Sequence, residues 1–146
     1  MPKFKNLESA LKYIEKSKAK SMKEMGRCIE EIMKEEIQNQ VYDAYRPKEY
    51  ERTGEFIDSV KTTDVTKDSV QVTWRDNGNW YSVVKRHRNE YPDHMYVIHG
   101  HEMGAVWGRH NKPTRLVKES EMRVKEEIPD ELIKSLRLKG INVTKK

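Results

Sequence analysis

Residues 45–60 read YRPKEYERTGEFIDSV, and this stretch separates a helical pattern before it from an alternating pattern after it. Pro47 is predicted to end the preceding helix, because proline lacks the backbone N–H that a helix interior needs. Thr53 can cap a new turn, and Gly54 tolerates a sharp reversal of the chain. Phe56 and Val60 are four residues apart and would point inward from one helical turn. The stretch therefore predicts a helix–corner–strand junction over residues 46–60.

The chain before the junction predicts one long helix over residues 6–45. Asn6 is a plausible N-cap. Gaps of three and four place one apolar stripe along the helix, formed by Leu7, Leu11, Ile14, Met22, Met25, Ile29, Ile32, Met33, Ile37 and Val41. Gly26 and the polar run from Lys16 to Lys20 weaken the middle. A break near Ser21, giving two helices, stays open at this stage.

The chain after the junction alternates as strands do, which predicts an antiparallel meander over residues 60–98. Three segments rich in β-branched and aromatic residues are its strands: 60–65, 70–74 and 80–84. Residues 66–69 supply one turn, and Asn77-Gly78 supplies a second, because Asn-Gly readily adopts the positive φ values of tight hairpins. Residues 95–98 form a candidate fourth strand.

The last third of the chain has weaker signals. Residues 99–113 contain three glycines among polar residues and predict a mobile loop. Residues 114–127 fit a strand and a helix equally. Pro129 is predicted to open a short helix over residues 129–140, which Gly140 ends. Its apolar edge either packs on the core or docks on a neighbouring subunit, and consists of Leu132, Ile133, Leu136 and Leu138.

The composition fits a single domain over residues 1–146 with large solvated or subunit-contacting surfaces. Charged residues make up 36% of the chain against 35% hydrophobic ones, whereas ordinary domains have about 25% charged residues. The lone cysteine, Cys28, excludes an internal disulfide and a cysteine-based zinc cage. No apolar run is long enough for a bilayer, and the N-terminus does not resemble a signal peptide. We therefore expect a soluble α+β protein made in a cytoplasm, with a long N-terminal helix packed on a three- to four-stranded antiparallel sheet.

The junction resembles that of the tail-completion and head–tail joining proteins of tailed bacteriophages. Members of that family have a long N-terminal helix, a proline followed by Arg-Thr-Gly, an apolar residue two positions on, and Ser-Ile or Ser-Val before an antiparallel meander. The residues that match this pattern in order are Pro47, Arg52, Thr53, Gly54, Phe56, Ser59 and Val60. The resemblance covers about residues 1–85 in element order. After the hairpins the chain departs from the family, with Ile98-His99-Gly100 in place of the usual Tyr-Ala and Glu-Phe-Gly-Thr segments.

The resemblance implies a non-enzymatic virion protein of the phage neck or tail, without catalytic residues, metal or cofactor. It implies a closed homo-oligomeric ring, hexameric or dodecameric, assembled in the bacterial host cytoplasm. Neighbouring connector, tail-tube or sheath proteins would be its partners, and no membrane is involved. Rings of this kind close through head-to-tail contacts. A phage-tail-like particle would have the same requirements.

A basic segment between residues 85 and 112 supports a second interpretation. Cations alternate there with aromatic residues, an arrangement that suits phosphates and stacked bases of single-stranded nucleic acid. In a ring, the same cations would line the lumen and touch the passing DNA transiently without reading its sequence. The residues concerned are Lys85, Arg86, Arg88, Arg109 and Lys112. A small nucleic-acid-binding protein is therefore an alternative to the virion subunit.

The five histidines raise a third interpretation, a histidine-dependent nuclease or metalloenzyme. All five lie within 24 positions: His87, His94, His99, His101 and His110. His99 and His101 would share one face of a strand, and a histidine near a carboxylate can act as a general base. The spacing matches no recognised ligand motif such as His-Glu-x-x-His. A metal or catalytic role is therefore the less favoured interpretation.

Overall fold

The structure, a computed structural model, describes residues 2–44, 55–74 and 115–145. In chain order these residues form helix α1 (Leu7–Ile37), a π-helical turn (Gln38–Tyr42), the short helix α2 (Glu55–Asp58), strands β1 (Val60–Val65) and β2 (Val70–Trp74), and helix α3 (Leu116–Leu138). The predicted α+β class is confirmed. None of the helices in these three ranges is long and apolar enough to cross a membrane.

Helix α1 begins where the sequence predicts, because Asn6 and Ser9 form a reciprocal capping box. Asn6 Oδ1 accepts the backbone N–H of Ser9 at 2.9 Å, and Ser9 Oγ accepts the N–H of Asn6 at 3.3 Å. Such caps stabilise a helix by about 1 kcal/mol. At the other end the Asp43 N–H reaches Gln38 O at 2.8 Å, which closes the π-helical turn.

The helix runs unbroken through Ser21, where the sequence leaves a break open, and through Gly26. Ser21 is fully buried within α1, and Gly26 is also a buried residue of this helix. A Cβ atom at Gly26 would lie 3.0 Å from Thr62 Oγ1 and 3.0 Å from Val70 Cγ2. Gly26 is therefore a packing requirement of the helix–hairpin contact, and not a helix breaker.

Strands β1 and β2 begin and end as predicted. They pair antiparallel, from Val60 opposite Trp74 to Val65 opposite Val70, with a register shift between Thr62 and Asp64. The sheet has two strands among the described residues, fewer than the three or four predicted. The expected strands at residues 80–84 and 95–98 lie outside the described ranges, as does the predicted loop at residues 99–113.

The prediction that Pro129 opens the last helix was wrong. Helix α3 begins at Leu116 and contains Pro129 in its interior. Interior proline removes one hydrogen bond and costs a helix roughly 3 kcal/mol, which packing against α1 offsets, since most helix stability in proteins comes from tertiary contacts. Gly140 ends the helix as predicted: it adopts φ +77°, and its N–H donates to Arg137 O at 2.9 Å.

Helices α1 and α3 pack antiparallel over the length of α3. Gln40 near the end of α1 contacts Arg115 before α3, whereas Tyr13 near the start of α1 contacts Lys139 after it. The hydrophobic core lies at the C-terminal end of α1, where both helices, α2 and the hairpin meet. Its buried members are Met33, Ile37, Val41, Phe56, Val60 and Leu116, with Trp74 and Val72 packed against them.

Candidate interaction surface

The junction residues that the structure describes are part of the core. Phe56 is buried in α2 and Val60 is completely buried at the start of β1, as predicted. Ser59 is also buried, and its hydroxyl donates to Phe56 O at 2.6 Å, which satisfies a carbonyl at the end of the helical turn. Pro47, Arg52, Thr53 and Gly54 lie outside the described residues. The described part of the junction thus contributes Phe56 and Val60 to the hydrophobic core.

The other predicted site residues also lie outside the described ranges. These are the expected DNA-contacting cations Lys85, Arg86, Arg88, Arg109 and Lys112 and all five histidines. In the ranges 2–44, 55–74 and 115–145, no three His, Cys, Asp or Glu side chains converge in a way that could hold a metal ion.

A polar cluster joins α1 to the C-terminal part of α3. Ser21 Oγ lies 2.7 Å from Ser135 Oγ, and the Ser135 hydroxyl also donates to Glu24. Lys139 Nζ donates to both carboxylate oxygens of Glu24, at 2.9 and 2.8 Å, and to Ser135 Oγ at 2.8 Å. The Lys139 hydrogen bond, followed by that from Ser135, lowers the pKa of Glu24 below its ordinary value.

Serine beside lysine invites comparison with a nucleophile and its base. A lysine base must be neutral to take the proton of the hydroxyl. Lys139 instead makes an ion pair with Glu24. Ser135 is buried, and its hydroxyl donates a hydrogen bond to the same carboxylate. This geometry favours a fastening between the two helices rather than a reactive group. We call these four residues, Ser21, Glu24, Ser135 and Lys139, the serine clasp.

A second charged network fastens the other end of the helix pair. Arg123 of α3 donates to Glu36 at 3.1 Å and Glu35 at 2.9 Å on α1, and to Glu127 at 2.8 Å on its own helix. The hydrogen bond to Glu127 is the largest of the effects that raise the pKa of Arg123, so the guanidinium stays charged despite its partial burial. Only a planar, forked cation can satisfy three carboxylates in this arrangement.

Glu30 of α1 fastens the hairpin to the helix next to Gly26. Its Oε1 accepts the backbone N–H of Thr62 at 2.6 Å and the Thr62 hydroxyl at 2.7 Å. Burial opposes ionisation of Glu30, but the two hydrogen bonds from Thr62, together with the charges of Lys34 and Lys61, lower the pKa of the carboxyl overall. The bond reaches β1 at the residue that precedes its register shift.

The N-terminal two turns of α1 extend beyond the elements that cover the rest of the helix. Among the described residues, the hydrogen bonds that reach furthest toward the start of α1 join Tyr13 to Lys139 O and Lys67 to Glu15. Before that level the apolar stripe continues in the open. Leu7 is 75% exposed, Leu11 53% and Ile14 39%. We call these three residues the overhang.

The overhang is the outer part of the same stripe that is buried further along the helix. Steps of three or four residues lead from Leu7 through Leu11 and Ile14 to buried Ser17, Ser21 and Met25. Within the described ranges α3 covers the later positions, and the overhang is left open. An apolar stripe exposed in line with a core is typical of a surface that meets a partner.

Charge is distributed unevenly between the two ends of the helix pair. Residues 1–20 contain six lysines and two glutamates, a formal side-chain charge of +4, whereas residues 116–131 contain three basic and six acidic residues, a charge of −3. On α3, an apolar row of Met122, Pro129 and Ile133 runs beside an acidic row of Glu119, Glu126 and Asp130, each with gaps of seven and four. Met122 is 43% exposed. We call these six residues the acidic face.

Only some of these features could be predicted from the sequence. The apolar stripe was visible from its spacing, and docking by the last helix was one of two alternatives: Leu136 is buried in the fold, but Leu138 is 82% exposed. The serine clasp was missed, because serines and a lysine on highly charged helices carry no signal until the two helices are aligned.

Cys28 is half-buried, and burial raises the pKa of its thiol.

Comparison with known proteins adds one finding. The sequence model of a family described as YomN matches residues 3–138. This match covers α1, the hairpin and α3, and the family name is that of a protein derived from a Bacillus phage. No curated protein and no solved structure is significantly similar to the chain.

Proposed function

The chain belongs to the YomN family and is phage-related, and on that premise we propose that it is a structural virion protein of the phage neck or tail. In this role it completes or terminates the tail and couples it to the head connector, as one subunit of a homo-oligomeric ring. The role is non-enzymatic and needs no cofactor. Its partners are further copies of the chain and the neighbouring connector, tail-tube or sheath proteins.

The overhang is the observation that supports this proposal most directly. Exposed apolar residues that continue the stripe of a core are candidates for a protein–protein contact, and a ring subunit must present such contacts to its neighbours. The clustered titratable side chains of the described residues are engaged in joining helices to each other or to the hairpin, as in the serine clasp and the Arg123 network. These contacts hold the helices and the hairpin together, which is what we expect of a structural protein.

The phage or prophage genome that encodes the chain provides the test. The gene is deleted, the released particles are imaged by negative-stain electron microscopy, and a plasmid-borne copy serves as the complementation control. We expect filled heads and separate or irregularly ended tails, with joined particles restored by the plasmid. Mass spectrometry of purified wild-type particles should detect the chain in several copies per particle.

Two results would contradict the proposal. One is a deletion lysate with wild-type infectivity together with purified particles that lack the chain. The other is tight, steeply salt-dependent DNA binding by the isolated monomer, which would favour the nucleic-acid-binding alternative.

A further inference from the structure

The side of α1 that faces away from the core carries a row of five exposed cations. Steps of three or four residues align them on one side of the helix, opposite the apolar stripe. The row ends at Glu31, in the turn that follows. We call these residues the basic stripe: Lys12, Lys16, Lys20, Lys23 and Arg27. We propose that the basic stripe binds the phosphate backbone of double-stranded DNA.

Helix α3 of the same chain shows how exposed charges are usually arranged. Its exposed positions carry both signs, include the acidic face, and form ion pairs one turn apart, such as that of Lys125 with Glu121. Mixed signs keep a solvated helix soluble without a large field of one sign. In the basic stripe, by contrast, every member except Lys12 lacks an ion pair with the residues that the structure describes. A row of one sign creates a field that attracts anions.

The carboxylates on the flanks of the basic stripe are engaged by other groups. Glu15 pairs with a lysine of the hairpin at 3.0 Å, and Glu24 pairs with Lys139 at 2.8 Å. Lys12 pairs with Glu8, but the two side chains are 76% and 73% exposed. Such surface pairs contribute little to stability, so a phosphate can take the place of the carboxylate.

The composition of the basic stripe favours duplex DNA over a protein, a lipid surface or a single strand. Protein interfaces are depleted in lysine and use apolar or aromatic anchors. A helix on a membrane surface buries its apolar face in the lipid, and the apolar stripe of α1 lies on the other side. Single strands need aromatic side chains for base stacking. The one aromatic residue of α1 is Tyr13, whose hydroxyl is bonded to Lys139 O and whose ring contacts Phe4.

The length of the basic stripe suits a contact that follows the DNA backbone. Arg27 is 15 residues from Lys12, which corresponds to about 22 Å along a straight helix. Duplex DNA carries one negative charge per about 1.7 Å of its axis, so the row meets phosphates in any register. Phosphate contacts carry no sequence information. We therefore expect sequence-independent binding with a Kd of about 1–100 µM at physiological salt, the usual range of non-specific contacts.

DNA binding by the isolated subunit goes beyond the proposed structural role and does not depend on it. The test measures binding of the full-length protein to a fluorescein-labelled duplex of about 24 base pairs by fluorescence anisotropy, between about 50 and 200 mM NaCl. Lys16→Gln/Lys20→Gln/Lys23→Gln should raise the Kd at least about tenfold at the lowest salt concentration. The slope of log Kd against log salt should fall by about 2.7, since each phosphate contact contributes about 0.9.

The matched control is Lys118→Gln/Lys125→Gln/Lys134→Gln, which removes three exposed positive charges from α3. It should bind DNA within about threefold of the wild type, because it leaves the basic stripe intact. Glutamine is a good helix former, so the far-ultraviolet circular dichroism of both variants should equal that of the wild type. Equal losses of affinity in the two variants would show that binding follows net charge, and would overturn the assignment to this surface.

Three further outcomes reject a backbone contact through the basic stripe. One is a wild type that does not bind at about 50 mM salt and about 200 µM protein. Another is full binding by the stripe variant, which would point to the cations between residues 85 and 112. The third is a preference of more than about tenfold between two duplexes of unrelated sequence.

Competition identifies the class of polyanion. Unlabelled duplex should displace the labelled DNA, whereas poly-L-glutamate at equal charge should displace it poorly. Equal competition would overturn the assignment to DNA and favour an acidic protein partner.

The proposed virion role and DNA binding can fail separately. If the deletion phage fails to join heads to tails and the protein does not bind DNA, the role stands and the DNA contact is rejected. Nanomolar binding that the stripe variant loses would keep the DNA contact and reject the structural role.

Discussion

Glu30 Oε1 accepts two hydrogen bonds from Thr62, one from its backbone N–H at 2.6 Å and one from its hydroxyl at 2.7 Å. A single helical carboxylate thus holds a strand by its main chain and its side chain together. We expect Glu30→Ala to lower the free energy of unfolding by about 2 kcal/mol, the usual range for hydrogen bonds to a charged acceptor that is largely removed from water. Urea unfolding measures this change.

The neighbouring Glu31 is exposed and provides the matched control. Glu31→Ala should change the free energy of unfolding by no more than about 0.5 kcal/mol, as is usual for surface positions. Amide hydrogen exchange gives a second measurement, since the Thr62 N–H should lose protection in Glu30→Ala alone. Equal effects of the two substitutions on stability would contradict the assigned role of Glu30.

Gly26 gives a prediction whose sign depends on its neighbour. Alanine normally stabilises a helix by up to about 1 kcal/mol relative to glycine, but here its Cβ would lie 3.0 Å from Val70 Cγ2 and from Thr62 Oγ1. We expect Gly26→Val to cost about 1–3 kcal/mol through overpacking. Gly26→Ala should be less favourable in the wild type than in a Val70→Ala background, where the methyl group has room. A double-mutant cycle by urea unfolding measures the difference, and additive effects would show that the hairpin does not approach this closely.

The serine clasp predicts a loss of stability in acid. Hydrogen bonds from Lys139 and Ser135 lower the pKa of Glu24 in the folded protein, so its contribution is complete above the unfolded-state pKa. That contribution is lost as pH falls through the lower folded-state pKa. The stability difference between wild type and Glu24→Gln should therefore be largest near pH 6 and shrink toward pH 3. Glu31→Gln controls for net charge, and a difference that is constant over this range would reject the assignment.

Arg123 should not be replaceable by lysine. Its guanidinium serves Glu36, Glu35 and Glu127 at once, whereas an ammonium group is a point charge that cannot match this planar fork. We expect Arg123→Lys to lose about 1–2 kcal/mol of unfolding free energy, since breaking a partly buried network leaves carboxylates without partners. Lys125→Arg, at an exposed pair with Glu121, should be nearly neutral. A neutral Arg123→Lys in thermal or urea unfolding would contradict this account.

The features that could be predicted from the sequence are those that depend on neighbours in the chain. The Asn6 cap, the apolar spacing of α1, the bounds of both strands and the Gly140 stop depend on residues within four positions of each other. The beginning of α3 could not be predicted, because the contact that offsets Pro129 comes from α1. Gly26 was misjudged for the same reason: only the hairpin, more than thirty residues away, requires a glycine there. The serine clasp likewise exists only once the helices are side by side.

The three residues of the overhang could be identified from the sequence by their spacing, but their exposure could not be predicted. Leu7, Leu11 and Ile14 continue the stripe of the core residues, so spacing alone predicts that they are buried. Their exposure follows from the level at which α3 ends, near Tyr13. The sequence predicts that the last helix stops at Gly140, but not which residue of α1 lies beside that end. The point at which the partner helix ends decides which leucines of an amphipathic helix stay exposed to solvent.

Ser21 and Ser135 touch although 114 residues separate them along the chain. During synthesis on the ribosome, α1 and the hairpin can therefore associate long before α3 has emerged, and the helix pair closes only after α3 has been synthesised. Until then the nascent chain exposes the surface that α3 will cover. During this period the exposed surface can aggregate or bind a chaperone. Translation speed over the middle of the message, and not only the amino-acid sequence, thus bears on the yield of folded subunits.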